Sequence, residues 1–252
     1  MNINCCKSLS NLKTSESFIS IFLLVGLFLL ASTPGLAVEL SITPYQASYK
    51  FYKSGFQVAR SSLSLEQSGR FWRWRLSSKP RGVYKLFTDK KPYSETTFSL
   101  LDNRYRIHNI LLADEGDDEQ YETARFDWNS RKLDIQRKGK RRILDLPEQV
   151  FDFLTLPLLT AKMMEQGARQ AKFNFYLKGE VFESKIVEID KTTLEIDGKK
   201  IVASVYHQTI VGQTANSKYF FDPDNGLLPL KIENINSKGK TSIMILSQVI
   251  WL

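Results

Sequence analysis

Residues 45–55, YQASYKFYKSG, alternate apolar and polar side chains and end in a Ser-Gly pair. Tyr45, Ala47 and Tyr49 fall on one side of an extended chain, because successive side chains of a strand point to opposite faces. Ser54-Gly55 supplies residue types that tolerate the backbone angles of a tight turn. The stretch therefore predicts a strand with one buried face, followed by a hairpin.

The same alternation continues to the end of the chain. Turn residues separate the predicted strands, and Asp197-Gly198 and Asn225-Gly226 are among the strongest hairpin signals. The apolar phase changes between Val58 and Leu63, which predicts a β-bulge near Arg60. About a dozen strands are expected in total.

Residues 152–167 break the alternation. Thr155 can cap a helix start together with Asp152, and Gly167 lies where a C-terminal cap belongs. Removing the Thr155 hydroxyl is expected to cost about 0.5–2 kcal/mol of stability. The helix between them is short and apolar, so a sheet must cover it. The sequence therefore predicts a mainly β fold: a large curved antiparallel sheet or open β-barrel, with one short apolar helix packed in or against it.

The first 37 residues predict a signal peptide. Lysines precede an apolar run over 18–31, and Gly35 and Ala37 fit the positions that a signal peptidase reads. The run is shorter than the roughly twenty residues that a membrane-spanning helix needs. We therefore expect a single β-rich domain over residues 38–252, exported to the periplasm. Both cysteines precede the apolar run, so a lipoprotein is not expected.

Three groups of residues carry a resemblance to a known family. They are Tyr45–Tyr49 with the Gly55 turn, Phe126–Trp128 with Asp152–Thr155, and Tyr219–Asp222 with Leu228–Ile232. In these stretches the chain resembles domain-of-unknown-function family 3108, exported bacterial β-rich proteins of uncharacterised function. The family usually has Ser where Thr155 stands, which keeps the capping hydroxyl. The resemblance implies export and a β-rich fold, and it brings no catalytic residues.

Catalytic and metal-binding motifs are absent from the sequence. The chain has two histidines, no His-Glu-x-x-His pattern, no Gly-x-Ser-x-Gly elbow and no glycine-rich phosphate loop. The acidic run 114–119 is interpreted as a solvated loop rather than a cation site. We therefore expect a non-enzymatic protein without metal or cofactor. A glycosidase-like carboxylate pair among Glu95, Glu122 and Glu180 stays open as an alternative.

The net charge of +8 is scattered along the chain. Basic residues alternate with apolar ones, so nucleic acid is not an expected partner. The densest basic run, 137–142, is interpreted as a solvated hairpin turn. Weak contact with an anionic membrane surface remains reasonable.

Aromatic and basic residues alternate between positions 72 and 84. Trp72, Trp74 and Tyr84, with Arg73 and Arg75 among them, predict a site for a ligand with an acyl part and an anionic head. The predicted function is to bind or carry a hydrophobic or amphipathic envelope ligand, a lipid or a lipoprotein. The alternatives are a cell-envelope scaffold or interaction protein and a carbohydrate-active hydrolase.

Overall fold

Fifteen strands form one sheet in the computed structural model, which describes residues 42–86, 88–101, 104–115 and 121–252. The predicted signal peptide lies outside the described residues, so cleavage before Val38 stays a prediction. Residues Glu39–Leu252 form a compact unit. Within the described residues, no helix has the length and apolar character needed to cross a membrane.

The strands follow one another along the chain with short connections. Their bounds are β1 Tyr45–Lys53, β2 Phe56–Ser68, β3 Phe71–Pro80, β4 Pro92–Leu101, β5 Arg104–Asp114, β6 Glu122–Asp127, β7 Lys132–Arg137, β8 Lys140–Asp145, β9 Val150–Phe151, β10 Gln170–Leu177, β11 Glu180–Ile196, β12 Lys199–Ile210, β13 Asn216–Asp222, β14 Asn225–Ile235 and β15 Thr241–Trp251. The helix α1 spans Leu156–Glu165, and a 3-10 turn spans Gly82–Leu86.

Strand β1 lies in the middle of the sheet. It pairs with β2 on one side and with the last strand, β15, on the other. One arm runs outward from β2 to β8, and the other runs back from β15 to β9. Every pairing is antiparallel except that of β9 with β10. Over the residues that the structure describes, the prediction of a large, open, curved antiparallel sheet with one α-helix is confirmed.

A bulge interrupts the β1–β2 pairing at the predicted place. Phe51 lies opposite Ala59 and Tyr52 lies opposite Gln57, so Val58 has no partner across the ladder. Val58 and Ala59 are both buried. The extra residue therefore places two consecutive side chains in the protein interior, which a regular strand could not do.

Side chains from both arms meet around α1 in the larger of two hydrophobic clusters. Tyr45, Ala47 and Tyr49 of β1 are buried in it, as their alternation predicts. Leu156, Leu158 and other apolar residues of α1 are buried with them, and the helix packs against β14. The inner face of the sheet thus covers the apolar surface that a ten-residue helix cannot bury alone.

The start of α1 is capped differently from the prediction. Thr155 already has helical backbone angles, φ −90° and ψ −9°, and its hydroxyl caps no helical N–H group. The Asp152 carboxylate instead accepts from the Thr155 N–H group at 2.8 Å, and the Thr155 hydroxyl accepts from the Asp152 N–H group at 2.9 Å. This reciprocal pair is a capping box with Asp152 as the capping residue. The direct capping role predicted for Thr155 is therefore wrong.

The end of α1 is a Schellman motif. Gly167 has φ +63°, and its N–H group donates to the Met164 carbonyl at 3.1 Å. The Ala168 N–H group donates to the Met163 carbonyl at 2.8 Å. A glycine is favoured at this position because residues with a Cβ atom are strained in the left-handed region.

Candidate functional site

The two tryptophans of the predicted ligand site belong to the core. Trp72 and Trp74 are buried, and both rings pack against Phe98. The indole Nε1 of Trp74 donates to the Tyr45 hydroxyl at 3.0 Å. Neither tryptophan lines the two chambers described below.

The two arginines point to the opposite face of β3. Arg73 and Arg75 both approach the Glu95 carboxylate, at 3.5 and 3.9 Å, and Arg75 lies over the Tyr93 ring. Tyr84 lies in the 3-10 turn and is partly exposed. The structure therefore does not bring the five predicted residues together, because alternation puts tryptophan and arginine on different faces of one strand.

Two cavities on the inner face share Phe51 as a wall, and we call them together the inner cleft. The larger chamber has a volume of about 500 Å³. The smaller chamber has a volume of about 380 Å³. Both fall in the range of roughly 300–1,000 Å³ that is typical of small-molecule sites.

The larger chamber has mainly apolar walls contributed by the middle strand β1 and by the arm that runs from β15 to β9. β1, β10, β12, β14 and the segment before α1 supply them. The apolar residues are Phe51, Phe153, Phe175, Leu177, Ile210 and Ile235. Most are only half-buried, so their exposed surface faces the chamber rather than neighbouring side chains. Covering such surface is the main source of affinity for an apolar ligand.

The smaller chamber depends on the β-bulge. Val58 and Ala59 both line it, together with Leu76, Met244 and the Tyr84 side of the 3-10 turn. Tyr84 is thus the one residue of the predicted ligand site that lines the inner cleft.

Two polar residues that line the larger chamber, Tyr219 and Gln208, belong to a chain of hydrogen bonds. The Tyr219 hydroxyl donates to the Gln208 amide oxygen at 3.0 Å, and the Gln208 amide donates to Ser184 at 3.2 Å. Ser184 in turn donates to the Thr209 carbonyl at 2.9 Å. Burial raises the pKa of Tyr219, so its hydroxyl stays neutral. These groups can orient a ligand, but none is paired with a base that would make it a nucleophile.

Lysines surround the opening of the larger chamber. Lys53, Lys178 and Lys240 line it and are exposed, and they come from three different hairpins. No aspartate or glutamate belongs to the described residues that line either chamber. The opening therefore favours an anionic group, while the chamber interior favours an apolar one.

The three carboxylates of the glycosidase alternative are each held by a different partner. Glu95 lies with the β3 arginines, and Glu180 lies 3.4 Å from Arg142. Glu122 is buried, pairs with Arg137 at 2.6 Å and accepts a hydrogen bond from Tyr176. None of these three glutamates lines either chamber of the inner cleft.

The remaining polar candidates are structural where they are described. The basic run 137–142 forms the β7–β8 hairpin, as predicted, and Arg141 pairs with Asp134 at 2.8 Å. Residues 116–120 of the acidic run lie outside the described residues. In the part of the chain that is described, no three His, Cys, Asp or Glu residues are grouped as metal ligands.

A family model with the description "Protein of unknown function (DUF3108)" matches residues 44–245. The chain belongs to the DUF3108 family. The match covers β1 to the first half of β15, and with it both chambers of the inner cleft. No curated protein has a matching sequence.

Two solved structures are similar to this DUF3108 chain. A β-barrel-like protein of domain of unknown function DUF1849 from Brucella abortus has a TM-score of 0.56 and 10% identity, covering 85% of this chain and 100% of its own. A Bacteroides fragilis protein with a YmcC-like fold has a TM-score of 0.31 and 7% identity, covering 83% of this chain and 97% of its own. The first similarity supports a β-barrel-like fold for the DUF3108 chain.

Proposed function

We propose that this DUF3108 protein is a non-enzymatic, exported protein that binds an anionic amphiphile in the inner cleft. The acyl part occupies the chambers on either side of Phe51, and the anionic head lies at Lys53, Lys178 and Lys240. The observation that carries the proposal is the combination of apolar walls, a lysine-rimmed opening and no lining carboxylate.

The position of the cleft supports binding rather than chemistry. Two of its buried polar side chains, Tyr219 and Gln208, are already hydrogen-bonded, and the pKa of Tyr219 is raised rather than lowered towards neutrality. A general acid or base needs a pKa near the working pH. A lipid, or the acyl chain of a lipoprotein, fits these walls, and such molecules are abundant in the envelope to which the predicted leader would deliver the chain.

The scaffold alternative has weaker support. The edge strand β8 carries Lys140, Arg141 and Arg142, and charged side chains on an edge discourage pairing with another strand. The other edge, β9, has two residues and offers a short template.

Binding of a fluorescent fatty acid by residues 38–252 tests the proposal. The probe should bind and be displaced by palmitate. Lys53→Glu with Lys240→Glu reverses the charge at the opening of the larger chamber. This double variant should bind the fatty acid about tenfold or more weakly, because its carboxylates repel the carboxylate of the probe. Binding of the matching fatty alcohol should change little, since it carries no charge.

A second pair of variants tests the chamber itself. Phe51→Asp places a carboxylate between the two chambers and should abolish binding of both probes, whereas Ile143→Asp on the exposed edge strand should not. Circular dichroism and thermal unfolding would show that each variant is folded. The proposal would be contradicted if the folded parent bound no probe. It would also be contradicted if the Lys53→Glu, Lys240→Glu variant lost binding of the fatty acid and of the fatty alcohol equally.

A further inference from the structure

Three apolar side chains stand in solvent at one end of the inner cleft. Phe56, Val83 and Leu86 are 74%, 68% and 82% exposed. Phe56 lies in the β1–β2 hairpin, and the other two lie in the 3-10 turn. Together with Lys53, Arg81 and Lys85 we call them the basic apolar rim.

The members of the rim are held next to one another. The Arg81 N–H group donates to the Val58 carbonyl at 2.9 Å, which fixes the 3-10 turn beside the start of β2, two residues from Phe56. Tyr84, between Val83 and Lys85, lines the smaller chamber. The exposed side chains therefore form one group that borders the opening of the cleft.

The charged residues of the two segments that carry these side chains are all basic. Residues 50–65 and 76–86 contain six lysines and arginines and no acidic residue: Lys50, Lys53, Arg60, Lys79, Arg81 and Lys85. The β14–β15 turn, with Lys238 and Lys240, adjoins them, because the Ser54 N–H group contacts the Thr241 carbonyl at 3.5 Å. A surface with these properties attracts an anionic partner.

We propose that the basic apolar rim docks the opening of the inner cleft on an anionic lipid bilayer. Exposed apolar side chains flanked by lysine and arginine are suited to shallow insertion at the headgroup–acyl boundary, with the cations on lipid phosphates. Three side chains on two turns offer little area for a stable protein interface, which buries about 800 Å² on each partner. The inference rests on the proposed function for its purpose: lipid would pass between bilayer and cleft without crossing water.

Vesicle flotation with residues 38–252, which include the compact unit Glu39–Leu252, tests the docking. The protein should float with mixed phosphatidylglycerol–phosphatidylcholine vesicles at low salt, and less at high salt, because salt screens the attraction. The double variant Val83→Ser, Leu86→Ser should reduce the bound fraction by about tenfold or more. The control Ile143→Ser, Val202→Ser removes two similarly exposed apolar side chains elsewhere and should bind as the parent does.

The charged part of the rim is tested separately. Arg81→Gln with Lys85→Gln should lower binding to the phosphatidylglycerol vesicles and leave only the weak binding seen with pure phosphatidylcholine. An equal loss of vesicle binding in the Val83→Ser, Leu86→Ser variant and in the Ile143→Ser, Val202→Ser control would overturn the proposal. A parent protein that does not bind anionic vesicles would overturn it as well. A dimer in analytical ultracentrifugation that the Val83→Ser, Leu86→Ser variant loses would assign the rim to a second copy of the chain instead.

Failure of this inference differs from failure of the proposed function. The Val83→Ser, Leu86→Ser variant should still bind the fluorescent fatty acid in solution, because neither residue lines the chambers. If the parent protein floats with vesicles but binds no fatty acid, the docking inference stands and the proposed function fails. If the parent protein binds fatty acid but does not float, only the docking inference fails.

Discussion

Asp152 is buried at the start of α1 and accepts hydrogen bonds from three donors. They are the Thr96 hydroxyl, the Thr155 N–H group and the Thr155 hydroxyl, the last at 2.6 Å. Thr96 lies on β4, so the carboxylate joins the helix to one arm of the sheet. The Asp152 carboxylate therefore holds both the start of the helix and its contact with β4.

Thr155→Ala should lower the free energy of unfolding by about 1–3 kcal/mol, because it leaves the buried Asp152 N–H group without its partner and removes one of the two hydrogen bonds to Asp152 Oδ1. This range is somewhat above the cost expected for a simple cap. Thr160→Ala is the control, since the Thr160 hydroxyl only donates to the Pro157 carbonyl. Urea denaturation measures both variants, and an equal effect would contradict the capping box.

Asp152→Asn should change how stability depends on pH. Burial raises the pKa of Asp152 above the usual 3.8, despite the hydrogen bonds that lower it. The folded state therefore favours the protonated acid, and this stabilisation is present below pH 3.8 and is lost as pH rises through the folded pKa. The free energy of unfolding of the parent, relative to the Asn variant, should fall over that range. A constant difference across the titration would show that the carboxyl has its ordinary pKa.

Trp74→Ala should cost about 3–5 kcal/mol, since the indole fills the core rather than a ligand cavity. Trp74→Phe should cost less, because it keeps most of the packing and loses only the hydrogen bond to Tyr45. Thermal unfolding measures both. Fatty-acid binding by the folded Phe variant should equal that of the parent, and a large loss of binding would place the tryptophan in the cleft.

At the scale of elements, the sequence pattern predicts what local geometry controls. Alternation placed Tyr45 and Tyr49 on the buried face, and the phase change predicted the bulge, because both depend on neighbours along the chain. The cleft depends on distant partners. The Tyr49 hydroxyl, for example, bonds the Pro229 carbonyl at 2.8 Å. No local pattern predicts that Phe51, rather than Trp74, borders empty space, since both are inward aromatic residues, on β1 and β3.

The Schellman motif at the end of α1 gives a prediction for this element. Gly167→Ala should cost about 1–2 kcal/mol, because φ +63° brings a Cβ atom too close to the backbone, whereas nothing else crowds the position. Gly167→Asn should cost less, since asparagine tolerates the left-handed region. Denaturation midpoints that are equal for the two variants would show that the strain is relieved by a shift of the helix end.

At the scale of the whole molecule, the sheet depends on the pairing of its first and last strands. Tyr45 lies opposite Trp251, and Lys53 lies opposite Ser242. A chain ending at Lys240 should therefore lose cooperative unfolding, because β1 and β14 both lose a neighbour in the middle of the sheet. A circular permutant that joins the two ends and opens at the Lys138-Gly139 turn keeps every strand and should unfold cooperatively. Calorimetry measures the thermal unfolding of both proteins. A truncated chain that still unfolds cooperatively would contradict the prediction.

The pairing of β1 with β15 also determines when the centre of the sheet can form during synthesis. A ribosome releases Tyr45 about two hundred residues before its partner Trp251, so the centre of the sheet cannot form until Trp251 has been synthesised. Contacts so distant in sequence also fold slowly once they are available. This delay would keep the nascent chain open for the proposed export, and the chain would need protection from aggregation during that interval.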